Sequence, residues 1–544
     1  MEKRAFLAVA LSLLVLVLYQ AWVSRQYGTA PLPPPPAEKK EVPKTDIERP
    51  TTTPPTPPVK PDFKPAEIPA AGKVQGKNVR VETDMYVALF TSYGGRLKSF
   101  EFKRYRSGVD EKSPPFEIVP TTPGVALPLG VQWESSSSVD DSGVVYTIDG
   151  GDLNLTGDAK GTLRFQGRTK TGYVITKNLT FTGSTYEINL AVSVQTPEDK
   201  TLTPEIELTE KSDHSTLNPD AKFEGLIALV DGKIKREKPD KAGQAQEITG
   251  DISWAGFGYT YFLFALVPEN SSQNRLLLRH TGSSLILALG GAPGAKGDIS
   301  RYTLFIGPKD LDTLKSAGKG LEHSIDFGYF AFISIPLVYA LQFFHRFSGS
   351  YGIDIILLTI VIKILLFPLT QKSMVSMKKM QRLQPQMERL KERYKDDKEK
   401  LNKEIMELYR RNSVNPLGGC LPMLLQFPVF IGLYNALGTP IELRHAPFLW
   451  IKDLSRPDWQ SLPFTFAGWH LGIPILTILM GASMFLQQWM TPSAGDPNQR
   501  KMMLLMPLMF TFMFVTFPAG LTIYWLVNNI LSIGQQYWIN RKES

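Results

Sequence analysis

The chain has 544 residues, 60 Lys and Arg against 52 Asp and Glu, and a formal net charge of +8, so it is longer than one ordinary domain and moderately basic. Its Lys and Arg gather in loops beside apolar runs of bilayer length, as the positive-inside rule expects, which points to an integral membrane protein with a sizeable soluble part and no nucleic-acid partner. Cys420 is the single cysteine, which excludes an intrachain disulfide.

Residues 1–24 begin basic and continue as an apolar run without a close small-x-small cleavage site, and Tyr19 and Trp22 suit a membrane interface. They are expected to form an uncleaved transmembrane anchor with a cytoplasmic N-terminus. Residues 25–76 are a Pro-rich linker, including Pro33 to Pro36, that favours extended polyproline and cannot bury a core. From 77 to 321 the pattern changes to apolar alternation. Ile188, Leu190, Val192 and Val194 fall on one face of a strand, and the runs 173–182 and 284–289 read alike, so a large antiparallel β-sandwich is expected. His214 and His280 have no metal-ligand spacing, and Gly290 to Gly294 lack the Lys-Ser/Thr that would cradle phosphate. No metal or cofactor is expected, and a structural or partner-docking role is favoured for this domain.

Residues 322–347 are apolar but interrupted by Gln342, His345 and Arg346. A further span here would place the next basic loop outside, so an amphipathic helix lying along the outer membrane surface is expected instead. Residues 351–370 then form a span with one cation, Lys363, well inside it. A lysine at such a depth costs roughly 2.5–3.5 kcal/mol on insertion scales and needs a carboxylate, a polar cavity or an exit to the interface. Snorkelling towards the level of Lys372, about 13 Å further along a helix, is the alternative. Thr359, one turn earlier on the same face, favours a polar cavity.

The loop 371–415 holds thirteen Lys and Arg against seven Asp and Glu and is expected in the cytoplasm. Met380, Leu383, Met387, Leu390 and Tyr394 form one apolar stripe, and Leu401, Ile405 and Leu408 form another beyond a turn at 395–398, so two antiparallel helices are expected, the first kinked at Pro385. Ribosome, nascent chain and anionic lipid are candidate partners for this basic surface, weighed equally against a plain solvated face.

Apolar segments at 417–437, 471–490, 502–517 and 519–538 bring the expected count to six spans, a five-helix core plus the N-terminal anchor, with a cytoplasmic C-terminus. The segment 502–517 reaches about 24 Å as a helix, less than a hydrocarbon core of roughly 30 Å, which implies local thinning of the bilayer. Gln426, Gln487, Gln488, Tyr524, Trp525, Asn528 and Asn529 place polar side chains inside these spans. Most of the Gln and Asn are assigned to helix–helix hydrogen bonds, yet with Thr359 and Lys363 the set could line one wetted concavity.

Several motifs lie in order across the C-terminal half: Phe367-Pro-Leu-Thr370, the stretch 377–385, Asn415-Pro-Leu-Gly-Gly-Cys-Leu-Pro422, Gln426-Phe-Pro428, Glu442-Leu-Arg444 with Ala446-Pro-Phe448, and Phe517-Pro-Ala-Gly-Leu521 before Tyr524-Trp525. In these the chain resembles the YidC membrane protein insertases, related to the Oxa and Alb proteins of organelles. The tethered β domain resembles the Gram-negative form, which implies a multi-pass protein of the bacterial inner membrane with residues 25–347 in the periplasm.

The resemblance further implies a non-enzymatic insertase and chaperone without cofactor. Its hydrophilic groove, open to cytoplasm and lipid, receives the polar tail of a nascent inner-membrane protein, alone or with the Sec translocon. The family's groove cation, commonly arginine, falls on Lys363, which keeps the charge and loses bidentate carboxylate binding. Groove or substrate-contact positions fall on Thr359, Gln426, Tyr524 and Trp525, with Gln487 a weaker carry-over. The tail after Trp538 is short, so ribosome docking through it is not expected.

A small-anion transporter using Lys363 as its binding site is the competing reading; the inverted repeats or paired broken helices it calls for are not evident. In the insertase reading an incoming helix is expected to pass between the span 351–370 and the last span.

Overall fold

The computed structural model describes residues 76–542 except 120, 134–139, 199, 212–221, 238–245, 282–283, 292–298, 413, 415–420, 467–468 and 491–496. The expected anchor, the Pro-rich linker up to residue 75, His214 and Cys420 lie outside the described residues.

The expected alternation is present where a strand has one covered face. Glu187–Gln195 buries Ile188, Leu190, Val192 and Val194 and turns the residues between them outward. Phe262–Pro268 and Ser284–Gly291 are instead buried along nearly their whole length. Both are interior strands of their sheets, and a strand covered on both faces reads as a continuous apolar run.

Three sheets, not the expected two, share one hydrophobic core. The largest runs from edge to edge through Lys233–Glu237, Phe223–Val230, Ile252–Tyr259, Phe262–Pro268, Ser300–Pro308, Glu187–Gln195, Val174–Thr182, Lys160–Arg168 and Thr147–Asp149. A second contains Arg96–Arg106, Tyr86–Thr91 and Asn78–Glu82, and a third Asn274–Thr281, Ser284–Gly291 and Glu205–Lys211. Pairing is antiparallel except where Val81 and Glu82 run beside Leu153 and Asn154. Aromatic rings join the first two sheets: Phe102 stacks on Phe262 with centroids 4.8 Å apart, and Phe90 meets Phe181 edge-on at 5.6 Å.

Glu210, on Glu205–Lys211, is buried and accepts a hydrogen bond from the Tyr259 hydroxyl. Burial pushes its carboxyl up to about 7 from an ordinary 4.5. Between those values the folded chain holds a proton that the unfolded chain has lost, so the contribution to stability is present below pH 4.5 and lost as pH rises through 7. Glu442 is raised to about 7 by burial and by Asp310 and acts in the same window, so the readout is the difference from the parent chain. Glu210→Gln in the full chain in detergent should flatten part of the decline in melting temperature between pH 5 and 8, worth on the order of 3 kcal/mol at the alkaline end. An unchanged slope would mean that Glu210 is solvated in the folded protein.

Nine α-helices are found among the described residues: α1 Leu311–Ala317, α2 Ala331–Ser348, α3 Tyr351–Arg382, α4 Gln384–Arg393, α5 Lys398–Arg411, α6 Leu421–Gly438, α7 Ile475–Met490, α8 Pro497–Phe514 and α9 Ala519–Lys542. α1 is capped by Asp310, whose carboxylate accepts from the Thr313 backbone N–H at 2.8 Å. α2 covers most of the expected interfacial segment, but Leu321–Ser324 is a separate 3-10 turn.

Of these helices α3 alone is both long and apolar enough to cross a bilayer, and Ile475–Met490 and Leu505–Phe514 are shorter apolar helices. Helix length therefore leaves the expected count of six spans open. Residues 471–473 belong to a strand, Trp469–Ile473, paired with Gln460–Phe466, so α7 starts later than expected; Pro474 ends the strand just before it. The apolar faces of the helices point outward, with Leu365 73% and Phe512 81% exposed, the inverse of a water-soluble bundle.

Pro385 does more than kink the first helix of the basic hairpin: α3 ends at Arg382, and Pro385 sits in the opening turn of α4, where a missing N–H costs nothing. α4 and α5 close on Leu383, Met387 and Tyr409, whose hydroxyl lies 3.1 Å from the Met387 sulfur.

The β region docks on the loop after α6. Arg444 donates to the Arg106 carbonyl at 2.7 Å and lies over the rings of Phe116 and Phe262, while Gln342 donates to Glu442 at 3.1 Å.

Candidate membrane groove

α9 is the spine of the helical bundle, packed against α3 on one side and α7 on the other. Its apolar residues leave room for polar side chains at four-residue spacing, and these find partners across both seams. Towards α3, the Lys363 ammonium donates to the Ser532 hydroxyl at 2.6 Å and Gln535 donates to the Thr370 hydroxyl at 3.1 Å. Further along, the Lys378 ammonium reaches the Asn540 carbonyl at 3.4 Å. Towards α7, Asn529 donates to the Ser483 hydroxyl at 3.0 Å and Gln536 to the Met490 carbonyl at 2.5 Å. Of the Gln and Asn expected to bond between helices, Asn529 does so here, and Gln535 and Gln536 add bonds of the same kind that were not expected. α7 in turn meets α8 closely at Gly481, where an added Cβ would lie 2.2 Å from the Thr511 hydroxyl.

The site residues read from sequence fall into two groups. Gln426 on α6 hydrogen-bonds the Tyr524 hydroxyl, and Trp525 lies against Phe430 of α6 and Phe514 of α8, both with centroids 5.1 Å away. Phe510 of α8 stacks on the same indole at 6.4 Å. Lys363 stands apart from that aromatic cluster, on the α3–α9 seam. Thr359 is buried, and its hydroxyl is spent on the Ile355 carbonyl of its own helix at 2.6 Å, so it faces packed protein. Gln487 is half-buried on α7, one turn beyond Ser483.

The expected passage between α3 and α9 is not open. Those helices pack along their length with the hydrogen bonds just described, because small and polar residues allow close approach. α6 and α8 approach each other through rings instead, Phe430 and Phe514 at 6.3 Å, which leaves their backbones further apart. Phe427, Phe430 and Tyr434, three and four residues apart, make one row on α6 facing this gap, and Tyr434 meets Phe517 at 5.8 Å. Closure by rings is concentrated at the end nearest the β region. The other end carries Thr370, Ser532, Gln535 and Lys378.

Among the described residues Lys363 has no carboxylate partner; its bond is to Ser532. Sequence reasoning missed Ser532 and Gln535. Their signal was the run Tyr524, Asn528, Ser532, Gln535, polar groups every three or four residues along one helix face. It also missed Asp354, which is fully buried in the first turn of α3, accepts from Ser348, and lies 2.8 Å from His345 Nδ1. The His345 ring stacks on Tyr351 at 3.7 Å, fixing the elbow between α2 and α3.

Comparison with known proteins agrees with this division. Residues 343–544 match the family described as "60Kd inner membrane protein", and residues 78–340 match the YidC periplasmic domain. The membrane protein insertase YidC of Syntrophus aciditrophicus is 42% identical over 562 residues, covering 100% of both chains. That of Pelobacter propionicus is 39% identical over 556 residues, covering 99% of each. A crystal structure of an active YidC insertase aligns with 87% of this chain and 94% of its own, at 18% identity and a TM-score of 0.36. The full-length matches assign the β region to the periplasm and the helical part to the inner membrane, and the chain belongs to the YidC family of membrane protein insertases.

Proposed function

We propose that this chain inserts inner-membrane proteins by offering their polar tails a hydrated groove that opens to lipid between α6 and α8 and takes its positive charge from Lys363 on α3, which borders α6, while their apolar segments pass into lipid. The observation that carries the reading is the asymmetry of the bundle. An aromatic cluster around Trp525 closes the periplasmic half, and Lys363 with Ser532, Thr370 and Gln535 makes the other half polar. Water held there would shorten the path a polar tail must travel through hydrocarbon. Thinning adds to this: α7, with 16 residues, spans about 24 Å, short of a core of roughly 30 Å. No covalent chemistry is required. An anion carrier built on Lys363 is not supported, because the full-length relatives are named insertases.

In this reading α3, α6, α7, α8 and α9 with the N-terminal segment make six spans, both termini are cytoplasmic, and the hairpin of α4 and α5 is cytoplasmic. Nascent inner-membrane proteins are the substrates. The Sec translocon, the ribosome and membrane lipid are the proposed partners. Gln426, Tyr524, Trp525 and Lys363 would line the groove, with Gln487 at its margin and Thr359 supporting it from within the packed seam.

A photo-crosslinker at Phe427 or Phe510, on the facing aromatic rows, should capture a short single-span nascent protein during insertion. One at Leu479, on the outward face of α7, should not. Equal capture at Leu479, or no capture at the two groove positions while insertion proceeds, would make the route wrong.

A further inference from the structure

We propose that Ser532 is the positioning residue for the Lys363 ammonium, and that the contact sets discrimination between acidic and neutral substrate tails; this rests on the groove-cation reading above. A hydroxyl has one proton and two lone pairs. The Ser532 proton is committed to the Asn528 carbonyl, 2.7 Å away on the same helix, so the oxygen presents a lone pair to Lys363 Nζ at 2.6 Å. Ser532 is 3% exposed, so water competes poorly for that lone pair. Lysine is a point charge on a flexible four-carbon stem and will extend towards the interface unless held. The Gln535–Thr370 bond, one turn further along the same seam, keeps α3 and α9 together independently of Ser532. Removing the serine hydroxyl therefore frees the ammonium and leaves the helix packing in place.

The test uses the full chain in inner-membrane vesicles, with two readouts. The first is the rate of reductive methylation of Lys363, followed by mass spectrometry. The second is the insertion ratio of two single-span substrates that differ in having acidic or neutral translocated tails. Ser532→Ala should raise the methylation rate about tenfold, the scale of a lost hydrogen bond to a charged group, and bring the insertion ratio close to one. Ser532→Thr keeps the hydroxyl and should restore both. Asn529→Ala, on the α7 side of the same helix, should leave the methylation rate unchanged. Should Ser532→Ala fail to accumulate, Ser532→Cys, with its weak acceptor, replaces it and should move both readouts the same way. An unchanged methylation rate overturns the contact. Faster methylation with a parental insertion ratio, while Lys363→Glu abolishes the ratio, overturns the positioning role. Faster methylation with no tail effect from Lys363→Glu either overturns the groove-cation reading itself.

Discussion

Replacing Lys363 with glutamate should lower insertion of single-span proteins with acidic translocated tails by tenfold or more, and affect neutral-tailed ones far less. Two like charges 4 Å apart repel by about 4 kcal/mol at an effective dielectric near 20, well beyond the 1.4 kcal/mol that a tenfold change needs. The parent ammonium has Ser532 as its partner and no carboxylate among the described residues, so its charge remains available to a passing anion. Lys363→Arg keeps the charge and should insert both classes. Lys363→Gln should fall between, because the proposed hydrated groove would still solvate the tail. Pulse-labelled insertion at matched protein levels reads the result, and equal defects for both tail classes would leave Lys363 a structural role.

The largest stability effect is expected at Asp141 in the periplasmic domain. Its carboxylate is fully buried and accepts from Arg96 at 2.8 Å, Lys177 at 2.6 Å, Tyr146 at 2.8 Å and the Val131 N–H at 3.1 Å. Arg96 lies on one sheet and Lys177 on another, and Arg96 is also 3.5 Å from Glu207 on the third. The cluster thus ties together all three sheets. The carbonyls of Gly94, Gly95 and Leu129 also lie within hydrogen-bond distance of the Lys177 ammonium and share its two remaining protons. Asp141→Asn keeps the shape but leaves the buried Lys177 ammonium without its carboxylate and Arg96 with the more distant Glu207, a loss of roughly 3–5 kcal/mol. Burial alone would raise the Asp141 pKa, but Lys177 and Arg96 reverse this and hold it below its ordinary 3.8. Its stabilisation is therefore present above that value and lost as pH falls through the lower folded one. Melting of the full chain in detergent should show a large fall in Tm at neutral pH and a smaller response to strong acid than the parent. A Tm within a degree of the parent would mean that the cluster relaxes around a neutral side chain.

Sequence alone determined which faces of elements are covered and which segments are apolar. Ile188, Leu190, Val192 and Val194 are buried as their alternation required, and Leu383 and Met387 close the basic helical hairpin that their spacing implied. The depth of Lys363 in an apolar run marked it as needing a polar neighbour before any fold was known. The motifs from Phe367 to Trp525 carried the family assignment.

What only the tertiary structure decided is which element does the covering. Ser284–Gly291 reads as a one-sided strand until its sheet neighbours and the shared core enclose it. Ser532 lies 169 residues from Lys363, and no local pattern pairs them. The closed α3–α9 seam and the ring-lined gap between α6 and α8 likewise follow from how helices far apart in sequence approach one another. Periodicity reports the environment that a side chain prefers. The partner that satisfies it is fixed by distance in three dimensions, because a hydrogen bond or a ring contact forms within a few ångströms whatever the separation along the chain.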